Sequence, residues 1–203
     1  MKNRHIFLIL ITLIFWGCGE EHQKQEIIKI VEDKIEKIKP IPEPIREYNF
    51  FFKDIDNQFI KLKVKKNYYI FGNIKQPIVL VNFFASWCPP CIGQLPHLNK
   101  LQKKYKDKLY ILGLLMYDED LDDNKLDRFL VSQKINFFVS KNTENNVKFG
   151  NFIAPKLQLK PKFSLPLMIL FVKGKYYTHY EGSIPEEMIE SDIKQALNQI
   201  KGQ

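Results

Sequence analysis

Ile78-Val79-Leu80-Val81-Asn82-Phe83-Phe84-Ala85-Ser86-Trp87-Cys88-Pro89-Pro90-Cys91 decides the fold. Seven residues, apolar except Asn82 and rich in β-branched side chains, have the length and composition of a buried strand. Directly after them, two thiols lie two residues apart where a helix begins. The first sulfur then sits at the positive end of that helix, where unpaired N–H groups favour the thiolate, the form that attacks disulfides. Taken alone, C-x-x-C also fits half of a zinc site. A structural zinc ion takes four ligands, however, and the chain holds one further cysteine, Cys18, far upstream. His97 offers a third ligand and no fourth is evident, so redox chemistry ranks above zinc.

Outward from this stretch the pattern is that of an α/β domain. Phe50-Phe51-Phe52 and Phe59-Ile60-Lys61-Leu62 flank the polar segment Asp54 to Gln58 and predict a hairpin. The helix opened by the cysteines is expected to reach about Lys106. Ile92, Leu95, Leu98, Leu101 and Tyr105 form its apolar face, and Pro96 predicts a kink. Leu109 to Met116 predicts a second buried strand, Leu121 to about Gln133 a helix, and Asn136 to Val139 a short strand. A weaker helical pattern runs from Asn145 to about Leu157 and meets Pro155. Leu167–Val172 and Lys175–Tyr180 predict a hairpin turned at Lys173-Gly174. Ser183 and Glu186 have capping-box spacing for a last helix. Strands alternating with helices imply a mixed central sheet flanked by helices.

The front of the chain is different. Lys2 and Arg4 precede an apolar run from Ile6 to Trp16, shorter than the roughly 20 residues of a membrane-spanning helix, and Gly17-Cys18 follows. Residues 1–17 thus predict a signal peptide. Phe15-Trp16-Gly17-Cys18 resembles the lipobox of bacterial lipoproteins, which implies lipid on Cys18. The tether would cover 18–46: a Glu- and Lys-rich stretch with Ile28, Val31, Ile35 and Ile38 in a stripe, then Pro40, Pro42 and Pro44 as a stiff spacer. The globular domain is expected over 47–203. Export places the cysteine pair where disulfides persist. The chain of 203 residues carries a formal charge of +8, but its lysines read as scattered along the sequence, which does not support nucleic-acid binding.

With this order of elements, the Trp87-Cys88-Pro89-Pro90-Cys91 stretch resembles the active site of the thioredoxin superfamily, and most closely its membrane-tethered TlpA, ResA and CcmG branch. The resemblance implies a thioredoxin-like fold with an N-terminal β-hairpin extension and thiol–disulfide oxidoreductase activity. Cys88 matches the exposed attacking thiol and Cys91 the buried resolving thiol. Pro166 matches a cis-proline facing the disulfide, with the Leu165 backbone turned outward to pair with a substrate strand. Trp87 is expected in the docking surface, and Gly182 matches a glycine that lets substrate approach the backbone. Asn82 replaces a buried acid of thioredoxin, and an amide cannot take a proton from Cys91. Gln94 stands where the branch often has glutamate. Glu181 is a conceivable carboxylate near the site, and His97 and His179 are expected to be bystanders.

Pro89 and Pro90 lack N–H groups, so the Cys88 thiolate would draw on the Cys91 amide and the helix dipole. That predicts a reducing couple rather than the strongly oxidising DsbA type. The redox group would be the Cys88–Cys91 disulfide itself, with no metal and no other cofactor. The resemblance further implies disulfide-bearing protein substrates such as apocytochrome c, an electron donor of DsbD or CcdA type in the membrane, and a periplasmic location. Disulfide oxidation or isomerisation is the alternative within the same chemistry. Outside it stand a Sco-like metal chaperone and a purely structural disulfide.

Overall fold

The computed structural model describes Lys29 and residues 46–118, 120–160 and 162–202. The chain divides into two units, Met1–Pro44 and Ile45–Gln203, and all the described residues but Lys29 lie in the second. The expected signal peptide, Cys18 and nearly all of the tether fall outside the described residues. Among the described residues no helix is long and apolar enough to cross a membrane.

Eight strands form one mixed sheet in the order β1-β2-β3-β8-β7-β4-β5-β6. The strands are β1 (Glu47–Lys53), β2 (Phe59–Lys65), β3 (Tyr68–Phe71), β4 (Ile78–Phe84), β5 (Leu109–Leu115), β6 (Phe138–Ser140), β7 (Leu167–Val172) and β8 (Lys175–Glu181). The helices are α1 (Pro89–Lys104), α2 (Asp123–Ser132), α3 (Thr143–Ile153) and α4 (Glu186–Lys201). This is the thioredoxin-like arrangement of sheet and flanking helices expected from the sequence. Strand β4 lies between parallel β5 and antiparallel β7, and all seven of its residues are buried. Its alternation divides the core. Val79, Val81 and Phe83 pack with the inward residues of β1–β3 and with Phe149 and Ile153 of α3. Ile78 and Leu80 pack on the other face with Leu98 and Leu101 of α1 and Ile189 and Ile193 of α4.

Two elements differ from the sequence reading. The predicted hairpin is present as β1 and β2, and Tyr68–Phe71 extends it into a three-stranded meander by adding β3 in antiparallel register with β2. Strand β3 joins the main sheet through the pair Tyr68↔Lys175, reinforced by Tyr69 N donating to Gly174 O at 2.7 Å. Gly174 is required there: its φ is +73°, and a Cβ would lie 2.9 Å from the Tyr69 oxygen. The capping box also fails. The N-cap of α4 is Pro185 with no side-chain cap, and Ser183 is engaged elsewhere. Pro155 ends α3 as expected, and the chain tightens into a 3-10 turn over Ala154–Leu157.

Helices α1 and α4 are clamped by Glu190. Its Oε1 accepts from Lys104 Nζ at 2.7 Å and Tyr105 OH at 2.7 Å, and pairs with Lys194 Nζ at 2.9 Å. These donors hold its carboxyl down to about 2, while burial and the neighbouring carboxylate push Tyr105 up to about 12. A depressed carboxyl stabilises the fold above its unfolded value and loses that contribution as pH falls through the folded value. Glu190→Gln should therefore destabilise the protein near neutrality. The deficit relative to wild type should shrink between about pH 4.5 and pH 2, read from denaturant midpoints across that range.

Candidate active site

The site is built on the junction between β4 and α1. Pro89 and Pro90 occupy the first helical positions, where a missing N–H costs nothing, and Cys88 is the N-cap. Cys91 N donates to Cys88 Sγ at 3.3 Å, so sulfur takes the place of the usual capping oxygen. With two prolines in the first turn, that amide is the only hydrogen-bond donor to Cys88 Sγ among the described residues. Cys88 and Cys91 are joined as a disulfide with their Cα atoms 5.2 Å apart. Cys91 is fully buried and Cys88 is 5% exposed, so the first cysteine is less open than "exposed" implies, but it is the one that solvent reaches.

Around the sulfur pair, loops from distant parts of the chain are tied into a rim. The Leu165–Pro166 peptide is cis, and Leu165 O lies 3.8 Å from Cys88 Sγ. Pro166 O accepts from Gly182 N at 2.8 Å. Gly182 has φ +78°, and a Cβ there would meet nothing within 4 Å, so its outer side is open. Trp87 is 61% exposed, with Nε1 donating to Tyr117 O at 3.1 Å. The structure thus brings Trp87, Cys88, Leu165, Pro166 and Gly182 to one rim, with Cys91 sealed beneath the first sulfur and Pro89 and Pro90 exposed at the start of the helix.

Two further sets of contacts brace this rim without having been read from the sequence as doing so. Asp118, nearly buried, accepts from Ser86 N at 2.9 Å and from Ser86 Oγ at 2.7 Å, fixing the turn that delivers Trp87 and Cys88. Ser183 Oγ and Ile184 N both donate to Gln94 Oε1 at 3.0 Å. Gln94 is buried, so an uncharged amide braces the first turns of α1 against the loop after β8. Local pattern could not reveal these pairs, because their partners are 32 and about 90 residues apart in the chain.

Asn82 is buried on the face of β4 that α1 covers, between Leu80 and Phe84, and neither amide atom has a hydrogen-bond partner among the described residues. Phe84 packs in one cluster with Cys88 and Cys91. His97 Nδ1 lies 3.0 Å from Glu186 Oε2, and His179 Nδ1 lies 2.8 Å from Tyr176 OH, so both histidines have partners away from the sulfurs. Glu181 is exposed on β8. Among the described residues no group of three or more His, Cys, Asp and Glu is placed to hold a metal ion.

The Redoxin family model matches residues 61–197, a span that contains the β4–α1 junction and the whole rim. The chain belongs to the Redoxin family. It is 28% identical over 195 residues to the thiol-disulfide oxidoreductase ResA of Bacillus thuringiensis subsp. konkukian, covering 95% of this chain and 96% of that protein. ResA of Bacillus cereus is 28% identical over 194 residues. Among solved structures, a thioredoxin-family thiol:disulfide interchange protein from Chlorobium tepidum superposes with TM-score 0.57 at 18% identity. That match covers 77% of this chain and 99% of that one. StoA from Bacillus subtilis gives TM-score 0.51 at 16% identity, over 73% and 98%. These two structures establish the fold. Together with the cysteine pair, the relatives make the chain a ResA-like thiol–disulfide oxidoreductase of the thioredoxin superfamily.

Proposed function

We propose that this oxidoreductase works as a reductase of disulfides in exported proteins, with apocytochrome c as a substrate class, at the periplasmic side of a bacterial membrane. Lipid on Cys18 and the tether over 18–46 hold the domain over 47–203 there. The Cys88 thiolate attacks a substrate disulfide, forming a Cys88–substrate bond and expelling one substrate thiolate. Cys91 then gives up its proton and attacks Cys88 Sγ, closing the internal disulfide and releasing the second substrate thiol. The substrate gains two electrons and two protons. A membrane dithiol carrier of DsbD or CcdA type restores the dithiol. The cysteine pair is itself the redox group, and no metal or organic cofactor takes part. Leu165, Pro166, Gly182 and Trp87 receive the substrate strand.

One observation supports the reducing direction. Among the described residues Cys88 Sγ has a single amide donor, because Pro89 and Pro90 supply none. A dithiol is a strong oxidant's product when its thiolate is heavily stabilised, and a thiolate with one donor is stabilised less. The couple is therefore expected near the thioredoxin value of about −270 mV rather than the DsbA value of about −120 mV. Equilibration in glutathione and dithiothreitol buffers with mass-spectrometric readout measures it, and a value at the oxidising end would make the protein an oxidase. Trapping with Cys91→Ala in the native host identifies substrates, and recovery of apocytochrome c on Cys88 is the expected result.

A further inference from the structure

The outer face of the N-terminal meander carries an arrangement that the thiol chemistry does not use. In β2 exposed Lys61 and Lys65 and half-buried Lys63 alternate with buried Ile60, Leu62 and Val64, so three cations line one strand. Their cross-strand neighbours on that face are apolar at several points: Phe51 opposite Lys61, Ile70 opposite Lys63 and Tyr68 opposite Lys65. Phe59, opposite Lys53, begins the strand. Phe51, Phe59, Tyr68 and Ile70 are 47%, 61%, 48% and 52% exposed. Lysines that read as scattered in sequence are therefore gathered on one sheet face and interleaved with large apolar side chains.

Lys61 Nζ sits 5.6 Å from the centre of the Phe51 ring, and Lys175 Nζ 5.2 Å from that of Tyr68. Glu47 is the acid within the face. It pairs with Lys63 at 2.7 Å and Lys65 at 3.1 Å, which lowers its pKa, and among the described residues Lys53, Lys61 and Lys175 form no ion pair. Asp54 and Asp56 lie in the turn beyond Lys53.

We infer that this face docks on an anionic lipid surface. Aromatic rings and lysine stems with charged heads suit the headgroup boundary, where apolar bodies bury and cations meet lipid phosphates. The place in the chain fits: the unit Met1–Pro44 is followed by the second unit from Ile45, and Glu47, the first residue of β1, already belongs to the face. The sulfur pair stays clear. Across the sheet β4 lies five strand spacings, about 24 Å, from β1 and three, about 14 Å, from β3. Docking by the meander would thus orient the domain with its rim displaced from the contact. This inference is independent of the reducing direction, and takes from the proposed function only that the chain is held at a membrane.

The test uses the full chain in vesicles, with a photoreactive benzoylphenylalanine at Phe59 and, as control, at Val131, an exposed residue of α2 near the opposite sheet edge. Vesicles of equal parts phosphatidylglycerol and phosphatidylcholine should give lipid adducts at position 59 and not at 131. Phosphatidylcholine alone, or high salt, should suppress them. Each lysine near an anionic surface contributes about fivefold in affinity, so Lys61→Glu with Lys65→Glu should lower the adduct at least about tenfold while insulin reduction is kept. Equal labelling of neutral and anionic vesicles, adducts to a second copy of the chain, or none at position 59 would each overturn the inference.

Discussion

Cys88→Ser should lower insulin disulfide reduction by at least about 10³-fold, the scale on which loss of a nucleophile acts, whereas Cys91→Ser should complete one attack and stop. The asymmetry follows from the geometry. Cys88 Sγ caps the helix, receives the Cys91 amide and keeps the little exposure that the pair has. Cys91 is sealed beneath it in the cluster with Phe84, Leu95 and Leu115. A serine hydroxyl at position 88 is not ionised near neutral pH and cannot replace a thiolate. With serine at 91 the first exchange proceeds, but nothing displaces the substrate from Cys88, and one equivalent of mixed disulfide accumulates. Intact-mass measurement after mixing with a disulfide peptide distinguishes the two variants. A stable adduct on Cys91 in Cys88→Ser, with none on Cys88 in Cys91→Ser, would reverse the roles.

The parts of the fold that were legible in the sequence are those whose signal is local. Ile78–Phe84 is continuous and apolar because β4 is covered on both faces, and Pro155 stops α3 because it lacks the N–H that the next turn needs. Strand β3 was hidden by its turn. Lys65 pairs with Tyr68 across a two-residue loop in which Lys66 takes φ +55°, a position where glycine is usual. The Ser183–Glu186 spacing misled for a complementary reason. Both side chains have long-range partners, Gln94 for Ser183 and His97 with Lys100 for Glu186, and these outcompete the local cap. The two cysteines and Pro166 could be picked out through motif resemblance. Asp118 could not, since among the described residues its carboxylate bonds to Ser86, on a loop 32 residues earlier.

Asn82 offers the sharpest test of how the sheet supports the sulfurs. Its amide is buried under α1 with both polar atoms unpartnered, an arrangement that costs about 1–3 kcal/mol. Asn82→Leu, close to isosteric and apolar, should raise stability by up to that amount, equally at pH 5 and pH 8. Asn82→Asp should do the opposite, with a strong pH dependence. Burial raises a carboxyl pKa, so below about pH 4 the acid is neutral in both folded and unfolded chains and the variant should resemble wild type. Above that, the unfolded chain ionises while the folded one resists. Stability should then fall by about 1.4 kcal/mol per pH unit until the raised folded value is reached, or about 4 kcal/mol by pH 7. Urea midpoints at half-unit steps measure this slope. A flat profile would mean that position 82 is hydrated rather than dry. If the slope appears, the same carboxyl supplies the proton acceptor that the amide cannot be, and the release of substrate by Cys91 should quicken as the new acid ionises.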